Sequence, residues 1–238
     1  MVSVTRQKCR DFVAKYCAGY DASHDISHID RVVTNAIRIL NLSDADTKER
    51  IKEDVIIAIA SLHDSFDHKY LTSTEQVEKA KTEVCAFLRN DLGFDDATID
   101  MMIVVIDNMG FTTEMKAGGN GSPLPQLTQE YMHIVQDADR LDAIGAIGVA
   151  RCLAFTGAFG RPIMTESGED EKKQREKYLE GTLVANGRKG PSAIAHFYDK
   201  LVFLKDMLKT PAGRKLGERR HKFILSFLDE FFDELSTA

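Results

Sequence analysis

Apolar residues recur at intervals of three and four along most of the 238-residue chain, and alternating apolar and polar runs bounded by turn residues are scarce. That period is the helical one, so the expected class is all-α. Candidate helices cover roughly 4–18, 27–42, 46–63, 74–92, 95–109, 127–156, 170–180, 191–209 and 212–235. Ser73 and Gln76 have capping-box spacing, Ser43 or Asp44 suits the start of the third helix, and Pro191 suits the first position of a new one. Two stretches rich in glycine and proline, Gly110 to Gln126 and Gly157 to Gly168, read as loops. No repeat or long linker divides the chain, so a single domain over 1–238 is expected, with chemistry in about 20–150 and the helices of about 170–238 completing the fold.

With 43% hydrophobic residues the chain can bury a substantial core, while 29% charged residues and a formal charge of −6 give no broad attraction to nucleic acid or anionic lipid. No nucleic-acid partner and no membrane are expected. An anionic substrate would need local cations or a metal to hold it. Cys9, Cys17, Cys85 and Cys152 are far apart, form no C-x-x-C pair and read as free core thiols. Without an apolar run near eighteen residues or a leader-like N-terminus, a reducing, cytoplasmic setting is expected. The amphipathic FILSFLDEFFDEL near the C-terminus either completes the core or meets a second subunit in a homodimer.

Ser61-Leu62-His63-Asp64 ends a helix whose Val55, Ile56, Ile59, Ala60 and Leu62 mark it as deeply buried. A buried carboxylate is costly unless paired or bound to a cation, and a neutral imidazole can lend a nitrogen to the same cation. Such dipeptides more often make ordinary hydrogen bonds. Here two further segments carry metal-binding side chains: His24-Asp25-Ile26-Ser27-His28-Ile29-Asp30-Arg31-Val32 upstream and Asp137-Ala138-Asp139-Arg140-Leu141-Asp142 downstream. One His from the first, His63 and Asp64 from the second, and an Asp from the third would make a mixed nitrogen and oxygen set with open positions. That set suits a divalent transition ion better than a closed structural zinc site.

The order His28, His63-Asp64, Asp139 resembles the H…HD…D signature of HD-domain phosphohydrolases. HDISHIDRVV, SLHDSFDHK and QDADRLDAIGAIGVAR resemble the small stand-alone HD hydrolases of the YpgQ and YedJ type, and the likeness runs over nearly the whole chain. It implies a helical bundle with a metal site between central helices, ligated by His28, rather than His24, with His63, Asp64 and Asp139. Asp137 and Asp142, at −2 and +3 from Asp139 on a helix, cannot all point at one atom; Asp137 is the alternative to Asp139 as ligand, and otherwise a carboxylate on the helix surface or beside the ligands. The ion implied is a single Mn, Co, Ni or Fe, with Mg as a further option, lowering the pKa of its water and neutralising phosphate oxygens.

By the same resemblance Asp67 is the candidate general acid or base. Asp67-His68 stands where the hydrolases of guanosine tetraphosphate carry a Glu-Asp pair, which argues against that substrate. Arg31, Lys69 and Arg140 sit beside the motif residues as candidate phosphate contacts, with salt bridges as their alternative use. His24 is a candidate for substrate or a second ion, or a cap of the following helix. The expected activity is hydrolysis of a phosphate or pyrophosphate bond in a small phosphorylated molecule, a nucleoside triphosphate first. The alternatives are a di-iron oxygenase of the same fold and a nucleotide-sensing module without turnover. Gly145 and Gly148 would weaken a free helix and point to close backbone packing rather than to a phosphate-cradling loop.

Overall fold

The computed structural model describes residues 3–17, 25–66, 71, 73–117, 124–186 and 190–236. The fold is all-α, and no strand occurs among these residues. The chain falls into two compact units whose boundary lies between Asp139 and Arg140, inside one helix.

The first unit contains α1 (Val4–Cys17), α2 (Ile26–Leu42), α3 (Ala45–Arg50), α4 (Glu53–Leu62), α5 (Thr74–Asn90), α6 (Asp96–Asn108), α7 (Phe111–Ala117) and α8 (Gln126–Asp142) as far as Asp139. Its axis is α4, where every residue from Val55 to Leu62 is buried and which packs against α1, α2 and α6. Isoleucine and valine are mediocre helix formers, so a short helix rich in them is held by burial on all sides. Glu53 and Asp54 in its first turn suit the positive end of the dipole. The Lys52 N–H at its start donates to the Tyr131 hydroxyl of α8 at 2.9 Å. Along α2 the buried residues Ile29, Val32, Val33, Ala36, Ile39 and Leu40 form the stripe that meets α4.

The expected helix 46–63 is broken in two. Ile51 is drawn into the core and takes an extended backbone, φ −93° and ψ 118°, ending α3 before α4 begins. Of the two cap candidates it is Asp44 that accepts from Thr47 N, at 2.7 Å. The Ser73 and Gln76 capping box forms with both of its bonds. The stretch expected to be a loop from Gly110 to Gln126 contains α7, and its residues 118–123 lie outside the described ones.

The second unit holds the end of α8, α9 (Gly145–Ala158), α10 (Glu169–Leu179), α11 (Ala193–Asp199), a 3-10 turn at Leu201–Phe203 and α12 (Pro211–Ser236). The helix expected over 127–156 stops at Asp142. Ile144 is extended and buried, and Gly145 has φ +79°, which turns the chain into α9. A Cβ on Gly148 would fall on the carbonyl of Ala143, so both glycines serve close packing at this turn. Ser192 caps α11, whose first residue is Ala193, so Pro191 stands two residues before the first helical position assigned to it.

Glu171 is fully buried and accepts from Thr165 N, Thr165 Oγ1 and Ser192 Oγ, which pins the segment 159–168 and the start of α11 to α10. Burial works against its charge, but these bonds outweigh it and hold the carboxyl below its ordinary range. Cys9 and Cys152 are buried free thiols, as expected, whereas Cys85 is half-exposed because its face of α5 is only partly covered. No single helix among the described residues is long and apolar enough to cross a membrane.

Candidate metal centre

The first turn of α2 is fastened by Asp25, whose carboxylate accepts from the N–H groups of Ser27 and His28 at 3.0 and 3.2 Å and from Ser27 Oγ at 2.5 Å. Burial pushes the Asp25 carboxyl upward, yet those bonds and the nearby Arg31 charge bring it below its ordinary value. His28 is thereby placed on the buried face of a fixed helix start, with 1% of its side chain exposed.

His63 follows the last residue of α4. Its Nδ1 lies 2.9 Å from the carbonyl of Ala60, which can only accept, so Nδ1 is the donor there and Nε2 is the nitrogen turned towards the carboxylates. That Nε2 is buried and has no hydrogen-bond partner among the described residues. Around it stand acceptors. Asp64 Oδ1 is 3.3 Å away and Asp139 Oδ1 3.9 Å, while His28 Nε2 lies 3.5 Å from Asp64 Oδ2 and 3.7 Å from Asp139 Oδ1. The two rings meet edge to face at 5.3 Å between centroids.

Three of these groups, on His28, His63 and Asp64, each offer an atom within 4.8 Å of the others. Two donors bound at about 2.1 Å to one ion stand about 3 Å apart at a right angle and about 4 Å apart across it. The spacings therefore fit a shared cation. A cation between them would also satisfy the buried Nε2 of His63, which has no hydrogen-bond partner among the described residues. The imidazoles form a buried floor, whereas 21% of the Asp64 side chain and 40% of the Asp139 side chain remain exposed. The acid side of the cluster is open to solvent.

No protein-family model matches the chain. It is 30% identical to the uncharacterized protein YpgQ of Bacillus subtilis over 227 residues, which cover 93% of this chain and 89% of YpgQ. It is 26% identical over 212 residues to the uncharacterized protein L803 of Acanthamoeba polyphaga mimivirus, covering 85% and 82%. The crystal structure of YpgQ in complex with ADP superposes with a TM-score of 0.66 at 27% identity, covering 96% of this chain and 97% of that one. A Bacillus thuringiensis structure described as an HD-superfamily hydrolase gives 0.64 at 28%, covering 98% and 97%. The chain belongs to the HD superfamily.

In this HD protein His28, His63, Asp64 and Asp139 come together from α2, the end of α4 and α8. Asp137, the alternative to Asp139, is fully buried, which excludes the helix surface among its expected uses, and Asp142 is buried against Arg151 at 3.1 Å. Arg31 donates to Ser27 Oγ at 3.0 Å within the first turns of α2. Arg140 is buried and donates to the carbonyl of Met207 at 2.6 Å. His24, Asp67, His68 and Lys69 lie outside the described residues.

Two supports of the HD site carry little signal of their own in the sequence. The Ala60 carbonyl that orients His63 belongs to a residue with no functional side chain. Asn35, on α2, donates from Nδ2 to the carbonyl of Ala138 at 3.1 Å, just before Asp139. Its one sequence signal is a polar side chain seven positions after His28, on a stripe that is otherwise apolar.

Proposed function

We propose that this HD protein is a metal-dependent phosphohydrolase that cleaves a phosphate or pyrophosphate bond of a nucleotide, with nucleoside triphosphates as the first substrates to test. His28, His63, Asp64 and Asp139 are the proposed ligands of one divalent ion. The observation that carries the reading is the buried Nε2 of His63, which has no hydrogen-bond partner among the described residues, on a ring oriented by the Ala60 carbonyl and with carboxylate oxygens 3.3 and 3.9 Å away. A mixed set of two imidazoles and two carboxylates favours Mn, Co, Ni or Fe over a closed zinc site.

When bound, such an ion supplies a Lewis acid for phosphate oxygens and lowers the pKa of water. The chain's own groups do the rest. The Ala60 carbonyl holds the His63 ring with Nε2 towards the cluster, and the exposed acid side leaves room for an anionic substrate. Asp67, four residues beyond His63, is the proposed proton-transferring acid or base, and Arg31, Lys69 and His24 the proposed substrate contacts. Arg140, engaged with Met207, we assign to the architecture of its own unit. The crystal structure of YpgQ with ADP favours a nucleotide ligand for a chain of this likeness.

The test is a screen of nucleoside tri-, di- and monophosphates against the chelator-stripped protein with Mn, Co, Ni, Fe or Mg restored singly, resolving phosphate from pyrophosphate. Metal-dependent release that disappears in His63→Gln is the expected result. Hydrolysis indifferent to chelation, or tight nucleotide binding with no product under any metal, would overturn the proposal; two irons per chain with an oxygen-dependent optical change would replace it by oxygenase chemistry.

A further inference from the structure

Among the buried residues of α2, two are polar: His28 and, two helical turns further on, Asn35. Seven residues bring a helix back to almost the same direction, so both belong to one stripe. Asn35 donates from Nδ2 to the carbonyl of Ala138, and Ala138 immediately precedes Asp139. One amide thus ties the helix that carries His28 to the peptide that leads into Asp139.

We propose that Asn35 is a positioning residue of the candidate metal centre, setting the register of α2 against α8 so that His28 Nε2 and Asp139 Oδ1 stand 3.7 Å apart. The proposal rests on the reading of the four groups as a metal site. Apolar contacts between helices are non-directional and hold distance better than register. A buried hydrogen bond has a direction, and a single buried asparagine in a helix pair selects one alignment over its neighbours at some cost in stability. Metal bonds need that selection, because donor distances are tolerated only within about 0.2 Å. Leucine, of similar size, would satisfy burial at this place without desolvating an amide. Asn35 is therefore explained by alignment and not by cohesion.

The experiment titrates Co2+ into the chelator-stripped full chain and follows affinity and the visible absorption bands, with the metal-free melting temperature measured beside them. Asn35→Leu is expected to weaken Co2+ binding about tenfold and to change the bands, as loss of an outer-shell support does, while the metal-free melting temperature moves little. Asn35→Ser, whose arm no longer reaches Ala138, is expected to show the same loss and stands in if the leucine variant does not fold. Ile39→Val, a cavity in the same stripe, is expected to lower the melting temperature with Co2+ affinity and bands unchanged. Co2+ binding by Asn35→Leu within twofold of the parent with the same bands overturns the assignment, as does an equal loss in Ile39→Val. A parent protein that takes up no Co2+ overturns the metal reading itself, so the two failures are told apart.

Discussion

Asp64 and Asp139 bring two carboxylates within 3.3 to 3.9 Å of the imidazole nitrogens of His28 and His63, a grouping that the proposed function explains by an ion. Groups arranged for function at the expense of stability leave a signature when they are removed. Asp64→Asn is expected to stabilise the chelated protein by about 0.5–1 kcal/mol, a rise of a few degrees in melting temperature, while abolishing Co2+ binding. A fall in chelated stability would mean that the cluster is internally satisfied. The thiols offer a second check at this scale. Burial pushes Cys9 and Cys152 up to about 12, so neither presents thiolate near neutrality. Iodoacetamide at pH 8 should modify both only in denaturant, and mass spectrometry of labelled peptides would show native labelling if the packing is wrong. The chemistry of the cluster was legible in residue order because histidine and aspartate announce themselves wherever they stand. The Ala60 carbonyl was not: a backbone acceptor is present at every position, and only the coordinates say which one an imidazole reaches.

Helix starts were legible where a side chain does the capping. Ser73 and Gln76 close a reciprocal box, and Ser73→Ala should cost about 1 kcal/mol in denaturant unfolding. Asp44 and Asp95 accept chiefly from the N–H groups of Thr47 and Thr98, which holds both carboxyls below the ordinary value. A carboxyl with a depressed folded value contributes fully above its unfolded value and loses that contribution as pH falls through the folded one. The double variant Asp44→Asn with Asp95→Asn should therefore lose less stability than the parent between pH 5 and pH 3 in matched denaturant titrations; parallel profiles would sink the argument. Helix breaks were illegible for a different reason. Ile51 and Ile144 are apolar residues that fit the helical period, yet each is extended, because its side chain is better buried off the helix than on it. Packing decided there, and local pattern does not encode packing.

Across the molecule, the unit that ends at Asp139 contains all four proposed ligands, and the unit that begins at Arg140 contains none of them. A ligand that binds only the folded state stabilises it by about 2.7 kcal/mol at a hundredfold excess over its Kd. Scanning calorimetry with and without Co2+ should show the melting of the first unit displaced upward by roughly 5–10 °C and that of the second left in place. A single transition moving as one would show that the two melt together, and no movement at all would remove the ion from the account. If the cluster holds an ion as proposed, its unequal exposure would set the sequence of capture. An ion bound by these residues would meet the exposed oxygens of Asp139 and Asp64 before the buried nitrogens of His28 and His63. Selection would then act twice, admission favouring hard cations that accept carboxylate and retention favouring those that also accept imidazole. Magnesium would pass the first gate and fail to be kept at the second.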